Sequence, residues 1–478
     1  MARPNVLMVC VDHWPGPLLG RAGHPCIQTP TLDQIADSGV IFTNAYTALP
    51  SCVPARRSLM TGTTARTHGD RVFKTHEPMP KLPTLAQTFR DAGYQTYAVG
   101  KLHVFPQRDR IGFDDVVLNE EGRHLGQMTA DDYEMFLADA GYGGQQFVHG
   151  MGNNQYVTRP WHLPESCHPT NWTAREMCRM IHRRDPTRPA FWFVSFNHPH
   201  PPLAPLRDYL NLYRDVEIDM PFVGQWAEQF DALPYALRVR HQHWGITGAE
   251  AIRAARRAFY AQCTHIDHQL RLVIGTLREE GLLDNTIILF TCDHGDMLGN
   301  HGLWAKTVFY EWAAKVPFIL VPVAGDDRLG HYRRDDRLVE LADVMPTLLQ
   351  MCDIPVPSSV EGISLLSDRR REYLYGEHSE NDSATRMIHD GRFKLIYYPV
   401  GNRFQLFDLQ NDPCELRDLS DRADSAAIRA RLTKALIKNL YGNDLNWLND
   451  GQLVGLPDKA FTQSADRGLF SQRGWRFP

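Results

Sequence analysis

The sequence lacks features that would assign it to several classes of protein. No stretch approaches the roughly 18 consecutive apolar residues of a membrane-spanning helix, so no transmembrane segment is predicted. The apolar run from Val6 to Val11 is too short for a secretory leader and ends in Asp12, so we expect a cytoplasmic protein. The formal net charge of -5 gives no reason to expect nucleic acid or an anionic membrane as partner.

Cysteine is also used sparingly. The nine cysteines are scattered and include no Cys-x-x-Cys pair, which argues against a zinc ribbon. We expect eight of them to be reduced and mostly buried thiols, because free cysteine behaves as a small apolar residue. Cys52 is the exception, for reasons given below.

The chain of 478 residues is long enough for one large α/β domain and a smaller one. Short apolar runs predict buried strands. Helical patterns lie between them: a segment capped by Thr31 and stopped by Gly39, then Ala249–Glu280, then Leu338–Met351. This alternation predicts a large mixed, mostly parallel sheet sandwiched by helices. The predicted strands are Asn5–Val11, Tyr94–Val99, Phe191–Phe196, Thr286–Thr291 and Val316–Val321.

The pattern changes after about Ser364. Short β-like pieces and a helix from Ser425 to Leu440 predict a smaller C-terminal α+β domain. We therefore divide the chain into a catalytic domain (1–365), a small antiparallel-sheet subdomain (366–446) and a tail (447–478). The tail is either disordered or packed on a neighbouring subunit, and we expect a homo-oligomer. Its aromatic and arginine residues include Phe470, Arg473, Trp475, Arg476 and Phe477.

Four of the predicted strands end in reactive side chains. Any one of these ends is readily explained as a solvated loop, but sites in parallel sheets lie beyond the carboxyl ends of the strands. We therefore expect the four ends to meet in one cleft. They are Asp12-His13, Gly100-Lys101-Leu102-His103, Asn197-His198-Pro199-His200 and Asp293-His294-Gly295-Asp296.

Asp12, Asp293 and His294 are suitable ligands for a divalent metal ion. Oxygen ligands alone favour calcium or magnesium, whereas a histidine ligand favours manganese or another transition metal. The residue types leave the choice of metal open.

The segment that begins at Ser51 has a second kind of chemistry. Pro54 suits the first turn of a helix, which places Cys52 at the helix N-terminus, where an anion is favoured. Arg56 follows one turn later with a guanidinium that matches tetrahedral oxyanions. Two interpretations remain open from these residues: a nucleophile in an anion pocket, or a buried cysteine beside a surface arginine.

These segments together resemble the sulfatase family. Cys52-Val53-Pro54-Ala55-Arg56 is similar to its signature Cys-x-Pro-x-Arg, with Ala55 where serine is usual. The resemblance covers nearly the whole chain, in the family's order, and implies an alkaline phosphatase-like fold. The other matching segments are Gly100–His103, Pro199–Pro202, Asp293–Asp296, His301–Thr307 and Leu406–Pro413.

The resemblance implies a reaction and a set of roles. Cys52 is oxidised to formylglycine by a formylglycine-generating enzyme, and a hydroxyl of the hydrated aldehyde attacks sulfur. One divalent ion, Ca²⁺ or alternatively Mn²⁺, is held by Asp12, the residue made from Cys52, Asp293 and His294. Arg56 and Lys101 stabilise the non-bridging oxygens. His200 and Lys306 assist the leaving alcohol, and His103 accepts a proton when the aldehyde is restored.

Two positions depart from the usual family pattern. His13 stands where a second aspartate is common, and His294 stands where asparagine is common. The Asp-His pair resembles the branch of choline sulfatases and phosphonate monoester hydrolases. His13 is interpreted as a further ligand or as a group behind the ligands.

The predicted function is hydrolysis of aryl or carbohydrate sulfate esters. The alternatives are a phosphonate monoester or phosphodiester hydrolase with the same site, a phosphate-transferring enzyme with an unmodified nucleophile, and an inactive binding protein. Aromatic and histidine residues in the long segments favour a saccharide sulfate, although ordinary packing also explains them. These residues are His124, Trp161, His162, His168, Trp172 and Trp244.

Overall fold

A computed structural model describes residues 3–123, 130–244, 246, 248–329, 333–462 and 472–474. Its main feature is an eight-stranded sheet in the order β4-β3-β5-β1-β6-β7-β2-β8. All neighbouring strands are parallel except β7, which runs antiparallel to β6 and β2. The strands are β1 (Asn5–Asp12), β2 (Val40–Tyr46), β3 (Gln95–Gly100), β4 (Asp115–Leu118), β5 (Ala190–Pro199), β6 (Thr286–Cys292), β7 (Phe318–Val321) and β8 (Arg333–Glu340).

The predicted mixed, mostly parallel sheet with helices is confirmed, and its centre is fully buried. Strands β1, β5 and β6 have no exposed residue, as expected for continuous apolar runs covered on both faces. The helices are α1 (Pro30–Asp37), α2 (Cys52–Thr61), α3 (Ala65–His68), α4 (Leu85–Asp91), α5 (Asp132–Asp139), α6 (Pro169–His182), α7 (Arg207–Leu212), α8 (Tyr235–Trp244), α9 (Ala249–Glu279), α10 (Glu311–Ala314), α11 (Val344–Met351) and α12 (Ala426–Asn439).

The prediction that Thr31 caps the first helix is wrong. Helix α1 begins at Pro30, and its first free N–H groups are bound by Asp267 of α9. The N–H groups of Thr31 and Leu32 donate to the Asp267 carboxylate at 3.0 and 2.8 Å. A side chain 235 or more residues away thus does the work that sequence reasoning assigned to a local cap.

The predicted helix over Leu338–Met351 is correct only in its second half. Leu338 and Val339 belong to β8 and pair in parallel with Asn44 and Ala45 of β2. A short 3₁₀ turn follows at 341–343, and α11 begins at Val344. The short apolar stretch at its start fits a strand or a helix equally well, and its pairing with β2 makes it a strand.

The C-terminal part forms a four-stranded antiparallel sheet in the order β12-β11-β10-β9, with α12 packed against it. The predicted small α+β unit is therefore confirmed, whereas its boundaries at 365 and 446 stay a prediction. Within the described residues, no helix is both long and apolar enough to cross a membrane. The strands are β9 (Leu374–His378), β10 (Thr385–His389), β11 (Phe393–Tyr398) and β12 (Arg403–Asp408), and β13 (Leu448–Asn449) and β14 (Gln452–Leu453) form a separate hairpin.

A buried ion cluster joins this unit to the main sheet domain. The Lys394 ammonium on β11 lies 2.8 Å from Glu311 of α10 and 2.7 Å from Glu415. All three side chains are buried, and the Tyr46 hydroxyl also donates to Glu311. Lys394 is shared by two buried carboxylates, and Lys315 also lies 3.2 Å from Glu311, so loss of Lys394 would leave Glu415 without the cation that these contacts give it.

Candidate active site

The four reactive strand ends meet at one edge of the large sheet. Val11 of β1 pairs with Cys292 of β6, so the following residues, Asp12 and Asp293, stand side by side. Gly100 of β3 pairs with Ser195 of β5, which brings the loop after β3 to the same edge. The prediction that these ends converge is confirmed.

Glycine is required where β3 turns into this site. Gly100 has φ +99°, and an added Cβ would lie 1.9 Å from the carbonyl oxygen of Ser195. This close approach lets the Lys101 N–H donate to that carbonyl at 3.0 Å. The bend directs Lys101 and His103 into the site.

Cys52 is the first residue of α2, with Ser51 in extended conformation before it. The predicted helix N-terminus is therefore confirmed. The Cys52 Sγ lies 3.1 Å from His294 Nε2 and 3.8 Å from Asp12 Oδ1. Burial and Asp12 raise the pKa of the thiol, but nearby cations outweigh them and hold it below its ordinary value.

Arg56 is buried and ties three parts of the site together. Its Nε donates to Asp293 at 2.8 Å, and its NH1 donates to the Lys101 carbonyl at 2.8 Å and to Ser195 Oγ at 3.0 Å. Its NH2 makes no hydrogen bond within the described structure and lies 3.9 Å from Asp12. The NH2 group of the guanidinium is thus left to donate to an oxyanion.

The side chains of Asp12, His13, Cys52 and His294 form a buried group whose ligand-type atoms lie within 4.8 Å of one another. Asp293 lies beside it, with Oδ1 at 3.7 Å from His294 Nε2. The His294 Nδ1 is 3.0 Å from the Gly295 carbonyl and donates to it, so Nε2 is the ring nitrogen that faces the group. This donor set fits one divalent metal ion.

His13 is held by a carboxylate behind it. Its Nδ1 lies 2.7 Å from Asp296, so its Nε2 points towards Asp12 at 3.9 Å and contacts the Lys306 ammonium. The Tyr156 hydroxyl donates to the same carboxylate. His13 adopts φ +68°, a conformation costly for a non-glycine residue.

The loop after β3 carries the remaining predicted residues of that end. The Lys101 ammonium contacts Asp12 and lies 3.0 Å from Glu121. Burial lowers the pKa of His103, and the charge of Lys101 lowers it further, so the imidazole is neutral. Neither ring nitrogen of His103 has a hydrogen-bond partner within the described structure.

His200 and Lys306 stand together on another side. The Lys306 Nζ lies 3.4 Å from His200 Nε2 and donates to Asn154 at 3.1 Å. The His200 Nδ1 donates to the Pro201 carbonyl at 2.6 Å, which leaves Nε2 as the acceptor that faces Lys306.

All of the site residues predicted from the sequence lie in or directly around this centre. Sequence reasoning missed the side chains that support them. Asp296 belongs to the predicted segment Asp293–Asp296 but received no role there. Glu120 and Glu121 follow β4, a strand that was not predicted. The missed residues are Glu120, Glu121, Asn154, Tyr156, Ser195 and Asp296.

The aromatic residues proposed to frame the cleft have different positions. Trp161 lines a cavity next to His200, together with Phe147 and Asn153. Trp172 and His168 are buried packing residues, so their proposed contact with substrate is not supported. The His162 Nε2 donates to the Gln145 carbonyl at 2.8 Å. Trp244 ends α8, and His124 lies outside the described residues.

One residue of the tail reaches this cleft within the same chain. The Arg473 guanidinium lies 3.6 Å from the ring centre of Phe147. It donates to Asn153 at 2.7 Å and to the Glu121 carbonyl at 3.2 Å. The other tail residues of the oligomer prediction, Phe470, Trp475, Arg476 and Phe477, lie outside the described residues.

Comparison with known proteins is consistent with this geometry. The sulfatase family model matches residues 4–354, and the model of the C-terminal part of N-sulphoglucosamine sulphohydrolase matches residues 299–441. The phosphonate monoester hydrolase of Agrobacterium radiobacter superposes with a TM-score of 0.79 at 24% identity, over 91% of this chain and 95% of that one. That likeness shows the fold alone.

Two relatives match along most of their length. A choline-sulfatase of Rhizobium meliloti is 30% identical over 459 residues, which cover 90% of this chain and 85% of the relative. An arylsulfatase of Clostridium perfringens is 36% identical over 469 residues, which cover 95% of this chain and 97% of the relative. Agreement on this scale with a family model and with whole relatives means that this chain belongs to the sulfatase family, the sulfuric ester hydrolases of the alkaline phosphatase superfamily.

Proposed function

We propose that the protein hydrolyses sulfate monoesters, with aryl sulfates as the first class to test. The observation that carries this proposal is the position of Cys52, with Sγ 3.1 Å from His294 and the unbonded NH2 of Arg56 one helical turn on. The arylsulfatase relative supports the aryl group, because it matches 95% of this chain.

The nucleophile in this proposal is formylglycine made from Cys52 by a formylglycine-generating enzyme. The segment Cys52–Arg56 keeps the cysteine, proline and arginine of the family signature. A hydrated aldehyde carries two oxygens on one carbon, so one attacks sulfur while the other later expels sulfate. A thiol lacks this second oxygen and would leave a thiosulfate ester that water must cleave.

Asp12, the residue made from Cys52, Asp293 and His294 would hold one divalent ion, which lowers the pKa of a coordinated hydroxyl and stabilises negative charge. Ca²⁺ and Mn²⁺ both accept carboxylate oxygens, and the imidazole of His294 favours Mn²⁺. His13 adds a further nitrogen at the edge of this group, 3.9 Å from Asp12.

The other side chains act on the ester itself. Arg56 and Lys101 bind the non-bridging oxygens and offset their charge. His200 and Lys306, 3.4 Å apart, stand where the leaving alcohol requires a proton or a positive charge. His103 accepts the proton released when the aldehyde re-forms, which requires the neutral imidazole that burial provides.

The alcohol part of the substrate has two candidates. Trp161 lines the small cavity next to His200 and is the aromatic side chain proposed to meet an aryl group or a sugar, because the Arg473 guanidinium covers the Phe147 ring. The match to the C-terminal part of N-sulphoglucosamine sulphohydrolase supports a saccharide sulfate as the second class.

A second activity is also proposed: hydrolysis of phosphonate monoesters at the same site. It is favoured by His294 in place of the asparagine that is usual in sulfatases, together with the fold shared with a phosphonate monoester hydrolase. Sulfur and phosphorus esters are both tetrahedral and rich in oxygen, so the same groups bind both.

We also propose a homo-oligomer, based on the aromatic and arginine content of the tail. Light scattering of the full chain and of a chain ending at residue 446 tests this. A smaller assembly after deletion supports the proposal, and monomers in both cases contradict it.

The experiment for the catalytic proposal joins peptide mass spectrometry with turnover. Protein made in cells that contain a formylglycine-generating enzyme is digested, and the peptide across Ser51–Arg56 is weighed. We expect an aldehyde or its hydrate at position 52, sulfate release from an aryl sulfate, and loss of release in Cys52→Ala. The matched control Cys178→Ala removes a buried thiol of α6 and keeps activity.

Full activity with an unmodified thiol at position 52 would overturn the mechanism. An aldehyde combined with much faster hydrolysis of an aryl phosphonate monoester would favour the second activity over the first.

A further inference from the structure

Glu121 is a buried carboxylate beside the site that the family motifs do not include. It follows β4 in a tight turn and adopts φ +59°, and the next residue, Gly122, has φ +60°. Left-handed backbone is costly for glutamate, so the surrounding structure fixes its direction. Its side chain is only 8% exposed.

The contacts of Glu121 lead to two proposed catalytic residues. Its Oε2 accepts from the Lys101 ammonium at 3.0 Å and from Arg123 Nε at 2.8 Å. Its Oε1 lies 3.6 Å from His200 Nδ1. Burial raises the pKa of this carboxyl, but His200, Lys101 and Arg123 outweigh burial and hold the pKa well below its usual range. Glu121 is therefore ionised at neutral pH.

Lys101 consequently stands between two carboxylates, Asp12 and Glu121. Asp12 belongs to the metal group, whereas Glu121 has no ligand role in the proposed function. The negative charge of Glu121, shared between Lys101 and Arg123, therefore reduces the net positive charge that these two cations offer to a bound anion.

We propose that Glu121 sets the charge selectivity of the anion pocket, which is formed by Arg56 and Lys101. The pocket then favours singly charged esters over doubly charged ones. Sulfate monoesters and phosphonate monoesters carry one negative charge, whereas phosphate monoesters carry two at pH 8.5. This inference rests on the proposed function, because it concerns the same pocket. A phosphate monoester carries one negative charge more than a sulfate monoester. Glu121 repels that additional charge.

A purely structural role for Glu121 predicts a different pattern. If its removal merely loosened Lys101, a positive charge would move away from the ligand, so affinity would fall, and it would fall more for the doubly charged ligand than for the singly charged one. Removal of a nearby negative charge instead raises the affinity of a dianion by the square of the factor for a monoanion. The direction in which the ratio of the two affinities changes therefore separates the charge effect from loss of position.

The experiment uses a pair of unreactive ligands of similar shape, benzenesulfonate with one charge and phenylphosphonate with two at pH 8.5. Their dissociation constants are measured by calorimetry on the metal-loaded protein and on Glu121→Gln. We expect the phenylphosphonate-to-benzenesulfonate affinity ratio to rise by about tenfold, the effect of one charge at about 7 Å in a medium of effective dielectric constant near 35.

Glu120→Gln is the matched control. Its carboxylate accepts hydrogen bonds from the N–H groups of Leu102 and His103 at 2.8 and 2.9 Å. It therefore supports the same loop, but it makes no hydrogen bond to Lys101 within the described residues. We expect the affinity ratio to rise less in this variant than in Glu121→Gln, because burial raises the pKa of the Glu120 carboxyl and so reduces its negative charge.

An unchanged or lower ratio in Glu121→Gln, or an equal change in Glu120→Gln, would overturn the proposal. Binding needs no turnover, so this outcome is separate from the fate of the proposed function. If the unmodified protein hydrolyses no aryl sulfate, the function fails, and the affinity ratio still tests Glu121.

Discussion

Replacement of Arg56 by lysine tests whether this side chain acts through its geometry or only through its charge. The guanidinium donates to Asp293, to the Lys101 carbonyl and to Ser195 Oγ, at distances of 2.8, 2.8 and 3.0 Å. Its NH2 remains available to a substrate oxygen. A lysine ammonium keeps the positive charge but cannot make these planar, fixed contacts together.

The expected loss follows from the contacts that lysine gives up. A hydrogen bond from a charged group contributes about 1.5 to 3 kcal/mol. Arg56→Lys retains one such contact and loses two that hold Asp293 and the Lys101 loop in place. A loss of about 4 kcal/mol corresponds to about a thousandfold lower kcat/KM.

The assay measures kcat/KM for an aryl sulfate and metal content by elemental analysis. Arg57→Lys is the matched control, because Arg57 is the adjacent buried arginine and contacts the Glu77 carbonyl and Asp70, away from the site. We expect Arg57→Lys to keep kcat/KM within threefold. Activity of Arg56→Lys within tenfold of the original protein, or equal losses in both variants, would refute the reasoning.

Two further predictions concern stability. Lys394→Met removes the cation shared by Glu311 and Glu415, while Glu311 keeps Lys315 at 3.2 Å, so we expect the free energy of unfolding in urea to fall by about 3 kcal/mol; Arg392→Met, which removes a half-exposed cation two residues earlier, stays near the original value, and equal losses would contradict the assignment. Burial lowers the pKa of His198 to about 4, against 6.5 in the unfolded chain, so the unfolded chain binds more protons and stability falls as pH drops from 6.5 towards 4. Between pH 7 and pH 5, the free energy of unfolding in urea should therefore fall by about 2 kcal/mol less in His198→Gln than in the original protein. The same pH dependence in both proteins would contradict this cause.

The convergence of the site was predictable because parallel strands place their carboxyl ends at one edge. Asp12 and Asp293 needed only that rule, since β1 and β6 are continuous apolar runs. The position of Cys52 at a helix N-terminus was predictable from Pro54 in the first turn. In each case, a local pattern and one general rule were sufficient.

The supporting side chains were not predictable, because their partners are distant or their elements are short. Glu121 follows β4, which has four residues and, among the described strands, pairs only with β3. Asp267 meets the N-terminus of α1 across 235 residues or more. Such contacts depend on how helices pack, and no spacing in the sequence encodes that information.

The departures from the usual sulfatase pattern lie together on one side of the site. The rings of His13 and His294 are 4.6 Å apart, on the side of the metal group where the family more often has aspartate and asparagine. Asp296, joined by Tyr156, holds His13 from behind. Asp296 thus supplies a second carboxylate, but the imidazole of His13 stands between this carboxylate and the metal ligands.

This displacement has a chemical consequence for the metal. An imidazole in place of a carboxylate removes one negative charge from direct contact with the ion and adds a nitrogen donor, and both changes weaken a site for Ca²⁺ relative to Mn²⁺. Arg56, Lys101, His200 and Lys306 keep the family pattern on the side that is proposed to bind the ester. We therefore expect this chain to differ from other sulfatases more in its metal preference than in the way it binds the sulfate group.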